Sequence, residues 1–395
     1  MSVLRIGYCT NVHAGTDLAQ TKANLQRHAR AVKRRFSPDV PMGVGLWLAA
    51  PAAAQLLDGG ELPQVRDWLA EIGLTPFTFN GFPYGDFHRD VVKHDVYLPT
   101  WWDQERFDYT LNLIQIQHAL LPGEMEGSIS TLPIAWGKPV ASGSQLDLAA
   151  AKLREVADRL WQLEQETGRL IHLCLEPEPG CVLQVSDDVV RLFEDHLLPG
   201  GDEDRIRRYL RVCHDVCHAV VMFEEQADVL RAYESAGIAV GKVQVSSAVV
   251  VPFERIAPSD RSAAVEQLSG FAEDRYLHQT CTLSSGGQPR FWEDLPTALA
   301  AVEDPAVLTD EWRIHFHVPV YLDRFGFLET SQSQVADCLQ AAAAMPDLTH
   351  FEVETYAWSV LPQSLQKDEL AEGIAEEMEW FRTTIDSFQE KDAFQ

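Results

Sequence analysis

Residues 170–180 read LIHLCLEPEPG. Two-residue alternation puts His172, Cys174 and Glu176 on one face of this run and Ile171, Leu173 and Leu175 on the other, so it reads as a strand that ends on a carboxylate before a Pro- and Gly-rich turn. Working outward, short runs rich in Val, Ile, Leu and Phe recur at 3–9, 43–48, 75–80, 127–132, 210–216, 240–246, 313–320 and 350–356. Between them the spacing predicts helices near 17–35, 61–72, 105–120, 146–167, 187–198, 224–236, 291–302 and 331–344, with a last one near 368–388. Strands alternating with longer helical segments are the pattern of a parallel sheet with crossover helices. A closed (β/α)8 TIM barrel with enlarged βα loops fits better than an open doubly wound sheet, because no G-x-G-x-x-G follows the first strand. Nine strand-like segments compete for eight barrel positions. Either the 313–320 run or a later element therefore lies outside the barrel.

No internal repeat, low-complexity tract or Gly/Ser/Pro linker divides the chain. Residues 1–395 are expected to form a single barrel domain, with a C-terminal helix within about 364–390 packed on it.

The charge narrows the function. With 32 Lys+Arg against 59 Asp+Glu the formal charge is −27, which opposes a nucleic-acid substrate, since polyanions are bound through clustered cations. A composition of 46% hydrophobic and 23% charged residues is that of an ordinary globular protein. No apolar run approaches the roughly 18 to 20 residues that cross a bilayer, and the start MSVLRIGYCTNVHAG reads as a strand rather than a signal peptide. The seven cysteines are odd in number, dispersed and mostly inside apolar segments, as in a reducing compartment. The expectation is a cytoplasmic protein that does not span a membrane. Cys213 and Cys217 have no second pair to complete a thiolate zinc site.

In a TIM barrel, side chains at the carboxyl ends of the strands point into a shared site. Glu176 ends the LIHLCLE run; Asp215 and His218 fall in RVCHDVCH at 211–218; Gln244 falls in KVQVSSA at 242–248; Glu354 falls in FEVETYAW at 351–358. Three acids and an amide, each closing a different strand, form an oxygen-rich set suited to one divalent ion such as Mn²⁺, Mg²⁺ or Co²⁺, with Zn²⁺ also open.

This arrangement resembles the xylose isomerase-like TIM-barrel superfamily of sugar isomerases and epimerases, through Glu176, the D-x-x-H of Asp215 and His218, Gln244 and Glu354 in that order. The resemblance implies that Glu176, Asp215, Gln244 and Glu354 bind one divalent metal and that His218 contacts substrate. Gln rather than His at the third position is similar to hydroxypyruvate isomerase-like members. More closely, GYCTNVHAG (7–15), NGFPYGDFH (80–88), GSISTLP (127–133), CLEPEPGC (174–181), HDVCHAVVMFEE (214–225), KVQVSSA (242–248), HFHVPVY (315–321) and FEVETYAWSVLP (351–362) resemble the metabolite traffic protein EboE family. What this implies is a barrel protein linked to a prenyltransferase-like membrane protein and a sugar-phosphate-cyclase-like enzyme, with a role in making or exporting a small metabolite.

The residues also suggest a reaction. Glu176 and Glu354 on opposite sides of an α-hydroxycarbonyl could remove a proton from carbon on one side and return one on the other, which is isomerisation or epimerisation of a sugar or cyclitol through an enediolate. Two alternatives stand beside it: a metabolite carrier that keeps the pocket and the metal without catalysis, and a metal-dependent phosphodiesterase, disfavoured by the charge.

Other residues are expected around a polyhydroxylated substrate. Asn11 and His13 follow the first strand, Trp47 closes the second and Asn80 the third. His315 and His317 share one face of the 313–320 run, with His317 the stronger candidate for the site; His214, His315, His278 and Lys93 are second-tier. The connection 80–104 is long and aromatic, carrying Phe82, Tyr84, Phe87, Tyr97, Trp101 and Trp102, and is expected to be a lid. The basic run RHARAVKRRF at 27–36 reads as a solvated helix face.

Overall fold

The computed structural model describes residues 4–284, 287, 289–303 and 307–392. Seven strands come first: β1 (Arg5–Cys9), β2 (Met42–Trp47), β3 (Leu74–Asn80), β4 (Gly127–Thr131), β5 (Ile171–Leu175), β6 (Leu210–Asp215) and β7 (Val240–Val245). Six short strands follow: β8 (Val249–Pro252), β9 (Thr280–Leu283), β10 (Arg290–Trp292), β11 (Glu311–Ile314), β12 (Arg324–Phe325) and β13 (Leu328–Thr330). The last is β14 (His350–Val353). β1 to β7 and β14 close a parallel barrel in the order β1-β14-β7-β6-β5-β4-β3-β2. The seam pairs Arg5 with His350 and Tyr8 with Val353.

β5, β6 and β7 are buried along their whole length, as strands are when helices cover one face and interior side chains fill the other. The helix Gly143–Thr167 shows how the covering layer is specified. Ser142 and Gln145 form a capping box at its start, Leu153, Val156, Ala157 and Leu160 bury one stripe, and Gly168 stops it at φ 74°, a left-handed conformation that favours glycine.

The ninth strand-like run lies outside the barrel. Glu311–Ile314 pairs antiparallel with β8 on one side and β9 on the other, within a second sheet of order β10-β9-β11-β8-β13-β12. Residues 315–320 then leave that sheet and run over the barrel mouth, where Val318 N donates to Ser247 O at 3.0 Å. An apolar alternating run carries the same period in either sheet, so periodicity did not separate the two. The helix expected at 291–302 is replaced at its start by β10 and begins only at Leu295.

The C-terminal helix, Leu370–Asp392, packs on the barrel. The Arg382 guanidinium sits 4.7 Å over the Phe36 ring, and Phe381 lies 5.8 Å from Phe351 of β14. Inside the barrel Lys242 of β7 and Glu352 of β14 form an ion pair. Gly45 of β2 leaves the room for it: a Cβ there would stand 1.3 Å from Glu352 Oε1.

Candidate functional site

Register brings Asp215 and Gln244 level with each other near the carboxyl end of the barrel, and Glu176 and Glu354 follow just beyond the ends of their strands. Asp215 on β6 pairs with Gln244 on β7, and Gln244 pairs with Glu352 on β14, so Gln244 faces the interior as they do. Glu176 and Glu354 each sit one residue beyond a strand, held by Glu176 N to Thr131 O at 3.0 Å and Glu354 N to Val245 O at 3.1 Å. Carboxylate oxygens of Glu176, Asp215 and Glu354 lie within 4.8 Å of one another, and all three residues are buried.

Two of these side chains, Asp215 and Glu354, are oriented by neutral donors through one oxygen. Asp215 Oδ1 accepts from Ser246 Oγ (2.7 Å) and from His218 N (2.9 Å), which caps the helix Val216–Val221, while its Oδ2 has no hydrogen-bond partner. Glu354 Oε1 accepts from Asn11 Nδ2 (2.7 Å) and Asn80 Nδ2 (2.9 Å). Glu176 Oε2 and both ends of the Gln244 amide are buried without a partner. Each orphaned buried polar atom costs about 1–3 kcal/mol unless something satisfies it. Burial, then the neighbouring carboxylates Glu354 and Asp215, push the Glu176 carboxyl well above its usual range; burial, Asp215 and Glu352 push Glu354 up to about 8. Burial acts the same way on Asp215, but the imidazoles of His218 and His317 and the donors on Oδ1 outweigh it and hold it below its usual value. Three convergent carboxylates and an open amide oxygen are the donor set of a hard divalent cation, so the residues fit such an ion.

Three histidines flank these residues. His218 Nδ1 meets Pro177 O at 2.8 Å, His315 Nδ1 meets Gln279 Oε1 at 2.8 Å, and His317 Nδ1 meets Glu354 O at 2.8 Å. Since each partner is an oxygen acceptor, each Nδ1 carries a hydrogen and each Nε2 is directed into the cleft region. The Nε2 atoms of His218 and His317 stand 3.9 and 3.8 Å from Asp215 Oδ2, and His218 Nε2 stands 3.1 Å from His315 Nε2. Burial lowers His317 to about 4 and His315 well below its ordinary value.

No protein-family model matches the chain, and no curated protein matches it. Among solved structures it is similar to a xylose isomerase-like TIM barrel protein from Mycobacterium smegmatis in complex with magnesium, at 12% identity and TM-score 0.55, over 98% of this chain and 99% of that one. It is also similar to a D-tagatose 3-epimerase-like protein, at 10% identity and TM-score 0.51, over 98% of this chain and 99% of that one. The fold is the xylose isomerase-like TIM barrel.

In this xylose isomerase-like barrel the expected site residues fall into two groups. Asn11, Asn80, Glu176, His218, His315, His317, Glu354 and Lys93 line one cleft. Of these, Asn11 and Asn80 orient Glu354, and Lys93 is ion-paired to Asp294 at 2.6 Å. His13, Trp47, His214 and His278 lie elsewhere. His13 turns to Tyr8 Oη (3.0 Å) and stacks on His28 at 4.7 Å in a separate small cavity, because the short helix Thr10–Val12 turns it away from the cleft. Trp47 borders that cavity and donates Nε1 to Pro83 O at 2.9 Å, bracing the 80–104 connection. His214, next to Asp215 on the opposite face of β6, bonds Gln226 Oε1 at 2.7 Å. His278 is buried behind His315, with Nδ1 at 3.1 Å from His315 O and Nε2 at 2.8 Å from Glu273 Oε1.

The aromatic connection does cover the cleft. Phe82, Phe87 and Tyr97 line it, and the turn Lys93–Tyr97 is pinned by Val92 N and Lys93 N to Arg275 O at 2.8 and 3.0 Å and by His94 to Glu293 at 3.0 Å. The sequence pattern assigned no site role to Glu178, Gln279 or Tyr356. Glu178 Oε1 accepts from Tyr97 Oη (2.8 Å) and Gln279 Nε2 (3.0 Å), and Tyr356 stacks on His317 at 4.8 Å. Glu178 was legible as the second acid of LEPEPG; Gln279 directly precedes β9 of the inserted sheet and carried no signal.

Proposed function

We propose that the protein is a divalent-metal-dependent isomerase or epimerase of a sugar or cyclitol, working by proton transfer through an enediolate. The observation that carries this reading is the set of buried, partly orphaned oxygens on Glu176, Asp215, Gln244 and Glu354. These four would hold one ion, and a bound divalent ion would supply Lewis-acid polarisation of a hydroxycarbonyl and stabilise the charge that develops on it. Glu176 and Glu354 come from strands on different sides of the barrel, and their raised proton affinities suit groups that must both take and give a proton near neutral pH. Asn11 and Asn80 fix Glu354 through one oxygen and leave the other for the substrate. The Nε2 atoms of His218 and His317 would meet substrate hydroxyls, and the aromatic connection would exclude water.

The segments that resemble EboE proteins support, within this reading, a cytoplasmic protein acting beside a sugar-phosphate-cyclase-like enzyme and a prenyltransferase-like membrane protein in the biosynthesis or export of a small metabolite. Seven buried free thiols support that compartment.

The test is metal content followed by exchange. Purified protein is expected to hold one equivalent of Mn, Mg, Co or Zn, lost in a Glu176→Ala/Asp215→Ala variant, and to exchange the α-hydrogen of a ketose or cyclitol ketone with deuterated solvent. Normal exchange by Glu176→Gln and Glu354→Gln variants would refute the mechanism.

One observation favours a second reading. The converging Nε2 atoms of His218 and His315 beside Asp215 Oδ2 would suit a second cation, as in metal-dependent phosphodiesterases whose two ions stand about 3.5–4 Å apart. Two equivalents of metal with hydrolysis of bis(p-nitrophenyl) phosphate would favour it.

A further inference from the structure

Glu377 lies near the middle of the C-terminal helix Leu370–Asp392 and is buried. Its Oε1 accepts from Val320 N at 3.1 Å and from Thr355 Oγ1 at 2.5 Å, and its Oε2 accepts from Trp358 Nε1 at 3.1 Å. One turn earlier Gly373 makes a notch for the same indole: a Cβ there would be 2.4 Å from the Trp358 ring. The three donors belong to two separate segments. Val320 follows His315 and His317 by a few residues; Thr355 and Trp358 flank Tyr356, directly after Glu354. Neither segment is in a strand at these positions, so neither is fixed by a ladder of backbone hydrogen bonds. Within reach of Glu377 among the described residues there is no cationic partner, which sets this carboxylate apart from an ordinary helix-anchoring ion pair.

We propose that Glu377 is a positioning residue through which the C-terminal helix holds the site in shape, clamping the His315–Val320 segment to the Glu354–Trp358 segment. The two segments meet inside the cleft, where His317 Nδ1 donates to Glu354 O and its ring stacks on Tyr356. Ionised, as it is above about pH 7, Glu377 accepts from all three donors at once, whereas an amide at any pH has one acceptor oxygen and turns an N–H group towards a donor. The inference rests on the proposed metal-centred reading only in what is being positioned; the clamp itself is independent of it.

The experiment compares the full-length protein with Glu377→Gln, Thr355→Val and Met378→Ala. Met378 is the adjacent, fully buried residue of the same helix, so its truncation loosens packing without touching the clamp. Peptide-resolved hydrogen exchange is read over 315–321 and 353–360, and Mn²⁺ affinity is read by calorimetry, both well below each variant's Tm. Glu377→Gln is expected to exchange at least tenfold faster in both segments and to bind Mn²⁺ at least tenfold more weakly, with Met378→Ala within twofold of wild type in both measurements. Equal exchange in Glu377→Gln and Met378→Ala would overturn the proposal. If the wild type binds no Mn²⁺, the metal reading fails and the exchange comparison alone decides the clamp. Should Glu377→Gln not fold, Thr355→Val decides: faster exchange over 353–360 supports the clamp and unchanged exchange overturns it.

Discussion

Lys242 and Glu352 form an ion pair within the barrel, and neither side chain reaches solvent. The pair sits two residues below Gln244 and Glu354 on the same strands, so it forms the floor on which the candidate site stands. Burial opposes the charge on Lys242, but the Glu352 carboxylate outweighs it and keeps the ammonium protonated. Removing one partner leaves a buried charge uncompensated. Lys242→Met is expected to lower stability by about 3–5 kcal/mol in denaturant titration, and Lys242→Met/Glu352→Leu to recover most of the loss. A single variant as stable as wild type would contradict this.

Gly45 should prove irreplaceable only while Glu352 is present. Gly45→Ala places a methyl 1.3 Å from Glu352 Oε1, so the carboxylate must move and the pair with Lys242 must break. The loss should match that of breaking the pair, about 3 kcal/mol or more. In a Lys242→Met/Glu352→Ala background the same methyl has room, and a double-mutant cycle should show strong coupling between positions 45 and 352.

Asn80 and Asn11 both donate to Oε1 of Glu354. Groups that orient a ligand are typically worth 10–100-fold in metal affinity. Asn80→Ala and Asn11→Ala are each expected to weaken Mn²⁺ binding by about that factor in calorimetry, with little change in Tm of the metal-free protein. An unchanged Kd would remove the asparagines from the site's design.

The metal-free protein should gain stability from a divalent ion. At about 100 times Kd the gain is about 2.7 kcal/mol, and it should vanish in Glu176→Ala. A thermal melt with and without Mn²⁺ measures both.

Glu377 carries a pH signature of its own. Burial pushes its carboxyl up to about 7, against the pull of Thr355, Val320 and Trp358; Glu376 adds to the rise, and Tyr321 is a further ionisable neighbour. The folded state therefore holds a proton that the unfolded chain releases at about 4.5. The stability this confers is complete below about 4.5 and is lost as pH rises to about 7, a change on the order of 3 kcal/mol. Chemical denaturation between pH 5 and pH 8 should show that slope in wild type and a flatter one in Glu377→Gln.

The barrel was readable because each of its strands is a short apolar run between helices, and strand ends are where a barrel keeps its polar residues. Glu176, Asp215, Gln244 and Glu354 were found by that rule. His13 and Trp47 were misplaced by the same rule, since the turn after β1 rotates one and a loop carbonyl captures the other. The inserted sheet was mostly invisible: its strands run only two to four residues, too short for a period to register. Lys242, Glu352 and Glu377 were unreadable for another reason. Each looks like a surface charge in the sequence, and only tertiary contact shows it to be enclosed.

The seam between β1 and β14 also governs when the site can exist. Asn11 leaves β1 near one end of the chain, and the acid it orients leaves β14 more than 340 positions later. A ribosome-bound chain lacking β14 has no closed barrel, and lacks Glu354 itself. Pairing across so long a separation is slow. A partly synthesised chain thus lacks part of the candidate site, which assembles only when the wall that encloses it is complete.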